Sequence, residues 1–112
     1  MALNLSMTRK KTGLWNLSVV DSFGSAQPLD GTVLYFHADG PITIDKNSPS
    51  NGITIVDSAG GLATLQIDAA DTAALPEGGQ FSMPCELTLL NGVDPFELDK
   101  GRLTIDANVG EP

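Results

Sequence analysis

Apolar residues at every second position recur from one end of this chain to the other, and this alternation restricts its fold more than any other feature. The longest run has five such residues within nine positions: Phe81, Met83, Cys85, Leu87 and Leu89. A period of two is typical of a β-strand with one buried face. No stretch of ten or more residues has the 3.6-residue period of an α-helix. The sequence therefore predicts an all-β fold.

Shorter apolar segments occupy most of the remaining chain. They cover residues 3–7, 15–19, 32–38, 42–44, 53–56, 62–67, 96–98 and 103–105. Most of them alternate, whereas residues 32–38 are a β-branched and aromatic run suited to a strand covered on both faces. Seven or eight short strands at intervals of about ten residues predict an immunoglobulin-like β-sandwich of mostly antiparallel strands. One short helical turn is expected near residues 68–75, because Asp68 or Asp71 can cap it and Pro76 ends it.

The length of 112 residues is that of one domain. We expect an N-terminal arm or edge strand over residues 1–12, the sandwich over residues 13–107, and a flexible tail over residues 108–112. With 41% hydrophobic residues, such a chain builds a core without a disulfide or a structural metal. A single cysteine, Cys85, and a single histidine, His37, supply too few ligands for a zinc site.

The net charge of −8 restricts the choice of partners. Nucleic acid is not expected as a partner, because phosphate contacts need clustered lysine and arginine. A membrane is not expected either, since no apolar run approaches the roughly 20 residues of a span and anionic lipid repels an acidic domain.

The basic residues are concentrated near the N-terminus, where Arg9, Lys10 and Lys11 are adjacent. They form either a solvated turn between strands or a docking element for an acidic neighbour. Trp15, the only tryptophan, is either a core residue of the sandwich or an anchor at a protein interface. The sequence prediction for a protein interface is therefore Met7, Arg9, Lys10, Lys11 and Trp15.

No catalytic residue, cofactor or metal ligand is predicted. His37 has only Asp39 close by, which is too near in sequence to orient its ring, and no nucleophile is apparent. Cys85 alternates with apolar residues and is expected to be a small core residue without a basic neighbour to activate it. The acidic group Asp94, Glu97 and Asp99 lacks the spacing of a calcium loop. The chain is expected not to be an enzyme.

Residues 52–105 resemble a known family. An Ile-Thr-Ile segment leads through a loop at residues 57–61 into residues 62–67, an Ala-Asp-Thr turn follows, and the stretch ends in Gly-Arg-Leu-Thr-Ile at 101–105. This is similar to the immunoglobulin-like domain at the N-terminus of phage baseplate upper proteins and in small structural proteins of tailed-phage particles. The N-terminal half resembles it by strand order only. Pro95 departs from the pattern and is expected at a sheet edge or strand start.

The resemblance implies a non-enzymatic role in assembly, with the protein located in the virion. We expect a capsid decoration (cement) protein, present as a homo-oligomer or in many copies, that docks on the major capsid protein and stabilises the shell. One alternative is a baseplate or tail accessory protein whose partners are tail or baseplate proteins. A second alternative is a module that binds carbohydrate or a host surface.

Overall fold

The computed structural model describes residues 3–21, 23–76, 78–91 and 94–107. Within these ranges the chain forms two β-sheets and one 3₁₀ turn, Ala69–Thr72, so the prediction of a mostly β fold is confirmed. The strands are β1 (Leu3–Thr8), β2 (Gly13–Ser18), β3 (Thr32–Asp39), β4 (Thr43–Asn47), β5 (Ile53–Asp57), β6 (Leu62–Ile67), β7 (Gln80–Asn91) and β8 (Asp94–Asp106). The predicted flexible tail, residues 108–112, lies outside the described residues.

One sheet has five strands in the order β1-β8-β7-β3-β4, and the other has three in the order β2-β6-β5. Neighbouring strands are antiparallel, except that β1 runs parallel to β8 with Leu3 beside Gly101 and Thr8 beside Asp106. Residues 3–8 thus form an edge strand of the larger sheet.

Alternate residues of both sheets bury their side chains in one hydrophobic core. On β7 the predicted alternation is confirmed, since Met83, Cys85, Leu87 and Leu89 are each at most 5% exposed. The three-stranded sheet contributes Leu17, Ile53, Ala63, Leu65 and Ile67, and Val19 follows directly after β2. The pattern follows from the pleat, which directs successive side chains to opposite faces of a strand.

Glycine at position 101 allows β1 to lie against β8. A Cβ atom at this position would collide with the backbone carbonyl oxygen of Leu3. The sulfur of Cys85 lies 3.7 Å from the same oxygen. The edge strand therefore packs closely, and its Leu5 and Met7 side chains reach the core.

Strand β8 joins two segments that the sequence suggests as separate strands. It pairs with β7 along its length, whereas β1 pairs only with Gly101–Asp106. The register shifts near Leu98, because Leu87 pairs with Asp99 while Thr88 pairs with Glu97. Pro95 is the second residue of β8, near the start of the strand, as expected from the missing N–H.

The 3₁₀ turn falls within the predicted residues 68–75. The Asp71 carboxylate accepts a hydrogen bond from the backbone N–H of Asp68 at 2.7 Å. It also forms an ion pair of 2.8 Å with the ammonium group of Lys46, which comes from β4. This contact connects the turn after the smaller sheet with an edge of the larger sheet.

Candidate protein interface

Arg9, Lys10 and Lys11 form the turn between β1 and β2. Lys10 has a left-handed backbone with φ of 62°, and its N–H donates to the hydroxyl of the buried Thr72 at 2.8 Å. The guanidinium Nε of Arg9 donates to the carbonyl of Leu75 at 2.6 Å. Arg9 and Lys10 therefore hold the turn against the 3₁₀ segment, while Lys11 is exposed.

The two other residues of the predicted interface lie on the inner faces of the sheets. Met7 is 8% exposed and belongs to the core. Trp15 is half-buried, packs against the core, and lies so close to Gly13 that a Cβ there would overlap its indole ring. The structure thus brings the three basic residues together at one turn, whereas Met7 and Trp15 contribute mainly to packing.

Sequence reasoning missed Phe23, which at 91% exposure is the most exposed large apolar side chain of the residues that the structure describes. It lies on the turn that follows β2. The carboxylate of Asp21 accepts hydrogen bonds from the N–H groups of Phe23 at 2.8 Å and Ser25 at 3.1 Å. Gly24 adopts a positive φ of 82°, which glycine tolerates without strain. An aspartate two residues before Phe-Gly was the available signal, since this arrangement favours a hydrogen-bonded turn.

The end of the molecule around Phe23 is acidic. We call residues 19–31, 56–61 and 95–99 the acidic end; backbone hydrogen bonds from Val19 to Gly61 and from Leu29 to Ser58 join its first two segments. It contains no lysine or arginine. Its other exposed apolar side chains include Val20 and Phe96, each 51% exposed.

A cleft opens beside the acidic end, between β2 and the first half of β8. Its volume is about 310 Å³. Core residues Leu17 and Leu87 contribute to its floor, and Leu98 and Asp99 from β8 contribute to its wall. Both an apolar surface and one carboxylate are thus accessible from solvent in this cleft.

The outer face of the larger sheet has a row of charged residues from neighbouring strands. His37 on β3 pairs with Asp45 on β4, with 2.5 Å between Nδ1 and the carboxylate, and lies opposite Glu86 on β7. Donation of a hydrogen bond from the His37 ring to the Asp45 carboxylate raises the pKa of His37 above 6.5. Sequence reasoning considered only Asp39 as its partner, because the β3–β4 register is not visible in the sequence.

Cys85 lies on the opposite face of the same sheet, where burial raises the pKa of its thiol. It is therefore mainly protonated near neutral pH, as a core residue is expected to be. Among the described residues, no three histidine, cysteine or carboxylate side chains gather in a way that could hold a metal ion.

Comparison with protein-family models and with curated proteins finds no match for this chain. In the part of the chain that the structure describes, none of the helical segments has the length and apolar character needed to cross a membrane.

Proposed function

We propose that this protein is an immunoglobulin-like structural subunit of a tailed-phage particle, and specifically a capsid decoration protein that docks on shell subunits. The strand order supports the immunoglobulin-like fold in this proposal. In variable-type immunoglobulin domains, strands G, F, C and C′ form one sheet and B, E and D belong to the other. Strands β8, β7, β3 and β4 and strands β2, β6 and β5 follow this order when β2 to β8 are taken as B, C, C′, D, E, F and G.

The resemblance of residues 52–105 supports the phage assignment. These residues make up β5, β6, the 3₁₀ turn, β7 and most of β8. The Ala-Asp-Thr sequence of the resemblance is the 3₁₀ turn itself, and Gly-Arg-Leu-Thr-Ile is the part of β8 that accepts β1. Both features are structural, so they suggest a role in assembly and give no reason to propose a catalytic activity.

The observation that carries the docking role is Phe23. A phenylalanine held 91% exposed by a hydrogen-bonded turn is unfavourable in water and well suited to enter a pocket of a partner. Such a contact adds buried interface between neighbouring shell subunits. Each contact can be weak, because many copies engaged at once multiply the effect. The net charge of −8 then keeps decorated particles apart.

The direct test is electron microscopy of particles from the source's lysate with a gold-labelled antibody against this chain. Label over the head supports a decoration protein, and such particles should rupture more easily when the protein is removed. Label confined to the tail tip overturns the decoration role in favour of a baseplate or tail accessory. Particles without any label overturn the virion assignment.

The role of Phe23 is tested on the same particles by replacing it with alanine. Loss of an interface anchor costs at least about 2 kcal/mol, so we expect roughly 30-fold weaker binding to undecorated shells. Leu14→Ala is the matched control, since Leu14 is 64% exposed on β2 and is not part of the acidic end. Equal binding by both variants would show that Phe23 is not the anchor.

A further inference from the structure

The first half of β8 has an open edge. Strand β1 covers the outer edge of β8 only along Gly101–Asp106. Among the described residues, no strand pairs with that edge along residues 95–100, whose neighbouring strand is β7. The Lys100 N–H donates a hydrogen bond to the Asp99 carboxylate at 2.9 Å. Unpaired N–H and C=O groups along a sheet edge are a template for another extended chain.

The cleft lies directly inside this open edge. Leu17 from β2 and Leu87 from β7 form an apolar surface within it, and both are core residues. The register shift in β8 brings Leu98 into the lining as well. Bulges of this kind redirect a side chain and are common at sheet edges near binding sites. An added strand would therefore place alternate side chains on an apolar floor.

The charge of the region restricts what can bind there. Asp99 pairs with the inward-facing Leu87 and lines the cleft. Glu97 pairs with Thr88 and points to the outer face. The surrounding acidic end has no lysine or arginine, and the edge itself has one, Lys100, which pairs with Glu86 and faces the outer side. Of residues 95–100, only Asp99 places a charge in the cleft, so a segment with a basic residue at that position is attracted.

We propose that residues 96–100 of β8, together with the cleft, receive an extended segment of a partner protein as an added strand. The segment has alternating apolar residues, which enter the cleft, and at least one lysine or arginine placed beside Asp99. This is recognition by strand addition, in which backbone hydrogen bonds give affinity and side-chain pockets give specificity. The proposal deepens the docking role and rests on it, but its test needs only the purified chain.

The first experiment supplies the strand in cis. Because β1 runs parallel to β8 with Leu3 beside Gly101, an N-terminal extension continues toward Lys100 and then Phe96. The probe is the full chain in which a seven-residue segment of alternating threonine and valine, with lysine as its sixth residue, replaces residues 1–2. In the Leu3–Gly101 register this lysine lies beside Asp99. Tethering raises the effective concentration of the added strand to the millimolar range. We expect amide hydrogen exchange between residues 96 and 100 to slow at least tenfold and the melting temperature to rise.

The control extension has proline at each threonine position, because proline has no N–H to donate to the edge. It should leave both measurements unchanged. If the Val-Thr extension also leaves exchange at residues 96–100 unchanged, the edge does not accept a strand and the proposal is overturned. This outcome would not bear on whether gold label is found on particles.

The second experiment tests the charge preference. Asp99→Lys should lower the protection given by the lysine extension about tenfold, and it should restore protection to an extension with glutamate in place of that lysine. Glu97→Lys makes the same change of charge two residues away on the outer face. We expect it to change the protection given by the lysine extension less than threefold. Equal effects of the two substitutions would overturn the assignment of Asp99. A dimer of the unextended chain with protection at residues 96–100 would assign the edge to a second copy and overturn the partner segment.

Discussion

The two halves of β8 differ in a way that their sequences do not show. Both carry alternating apolar residues, yet Leu103 and Ile105 are fully buried while Phe96 is 51% exposed. The second half lies between β1 and β7, whereas the first half has β7 alone among the described strands. Burial of a strand here depends on its neighbours as much as on its own pattern. The half without an outer neighbour is the half that can accept one.

The turns at the two ends of β2 also differ in what their hydrogen bonds hold in place. Before β2, the turn of Arg9 and Lys10 is fastened to Leu75 and Thr72 by side-chain hydrogen bonds. After β2, the turn at Phe23 is also ordered, but its bonds hold an apolar side chain in solvent. The first end contributes to stability and the second is available for a partner.

Deleting residues 1–8 should have the largest effect on stability. The deletion removes β1, and with it the buried side chains of Leu5 and Met7, each worth about 1.5–3 kcal/mol. We expect the free energy of unfolding, measured in urea, to fall by about 3–6 kcal/mol. Ser6→Ala, on the exposed face of β1, is the control. A deletion that costs less than about 1 kcal/mol would show that these residues are a docking arm and not an integral strand.

Two phenylalanines give the sharpest comparison of core and acidic end. Phe36 is 1% exposed, so Phe36→Ala should lower the free energy of unfolding by about 3–5 kcal/mol. Phe23→Ala should change it by less than about 0.5 kcal/mol, because the side chain touches little in the free chain. Thermal or urea denaturation of both variants measures the difference. A large loss of stability in Phe23→Ala would mean that the residue has a structural role.

Much of the fold is predictable because its strands bury one face. The alternation at residues 81–89 predicts β7, and the β-branched and aromatic residues 32–38 predict β3. Strand β4 is harder to predict, since its buried Lys46 breaks the apolar pattern, and the ion pair of Lys46 with Asp71 depends on the tertiary fold. The parallel pairing of β1 with β8 cannot be predicted from either strand alone, because it joins residues about 98 apart (Leu3 and Gly101).

The candidate interface is less predictable than the fold. The charges of Arg9 and Lys10 suggest an exposed patch, but their turn is engaged by Thr72 and Leu75, more than 60 positions away. Phe23 has no periodic pattern around it, so the only sequence signal for its exposed position is the turn formed by Asp21 and Gly24. Among the described residues, β1 pairs with β8 only from Gly101 onward, and this limit, which leaves the edge at residues 96–100 open, is a property of the pairing and not of a motif.

Thr72→Val tests the fastening of the basic turn. Valine keeps the shape of this fully buried side chain but removes the acceptor of the Lys10 N–H. We expect the free energy of unfolding to fall by about 1–2 kcal/mol in urea denaturation. Thr54→Val, on the exposed face of β5, should change it by less than about 0.5 kcal/mol. If both substitutions have equal effects, the turn does not depend on this hydrogen bond.

Replacing His37 should have the smallest effect on the free energy of unfolding, and this effect depends on pH. Because its hydrogen bond with Asp45 raises the pKa of His37 above 6.5 in the folded chain, protonation favours folding. The contribution is complete below about pH 6.5 and is lost as the pH rises through the folded pKa. For an exposed pair it should stay below about 1 kcal/mol. The difference in unfolding free energy between the parent chain and His37→Gln should be larger at pH 5.5 than at pH 8.5; a pH-independent difference would contradict it.

The contrast between the two halves of β8 is tested most directly by amide hydrogen exchange of the free, unmodified chain, resolved to single residues. The account predicts that exchange within residues 101–106 is at least tenfold slower than within residues 95–100, because only the former have a described strand on both sides. Deletion of residues 1–8 should remove that difference. Equal protection of both halves in the intact chain would contradict the account, because it would mean that the edge proposed for a partner strand is already closed.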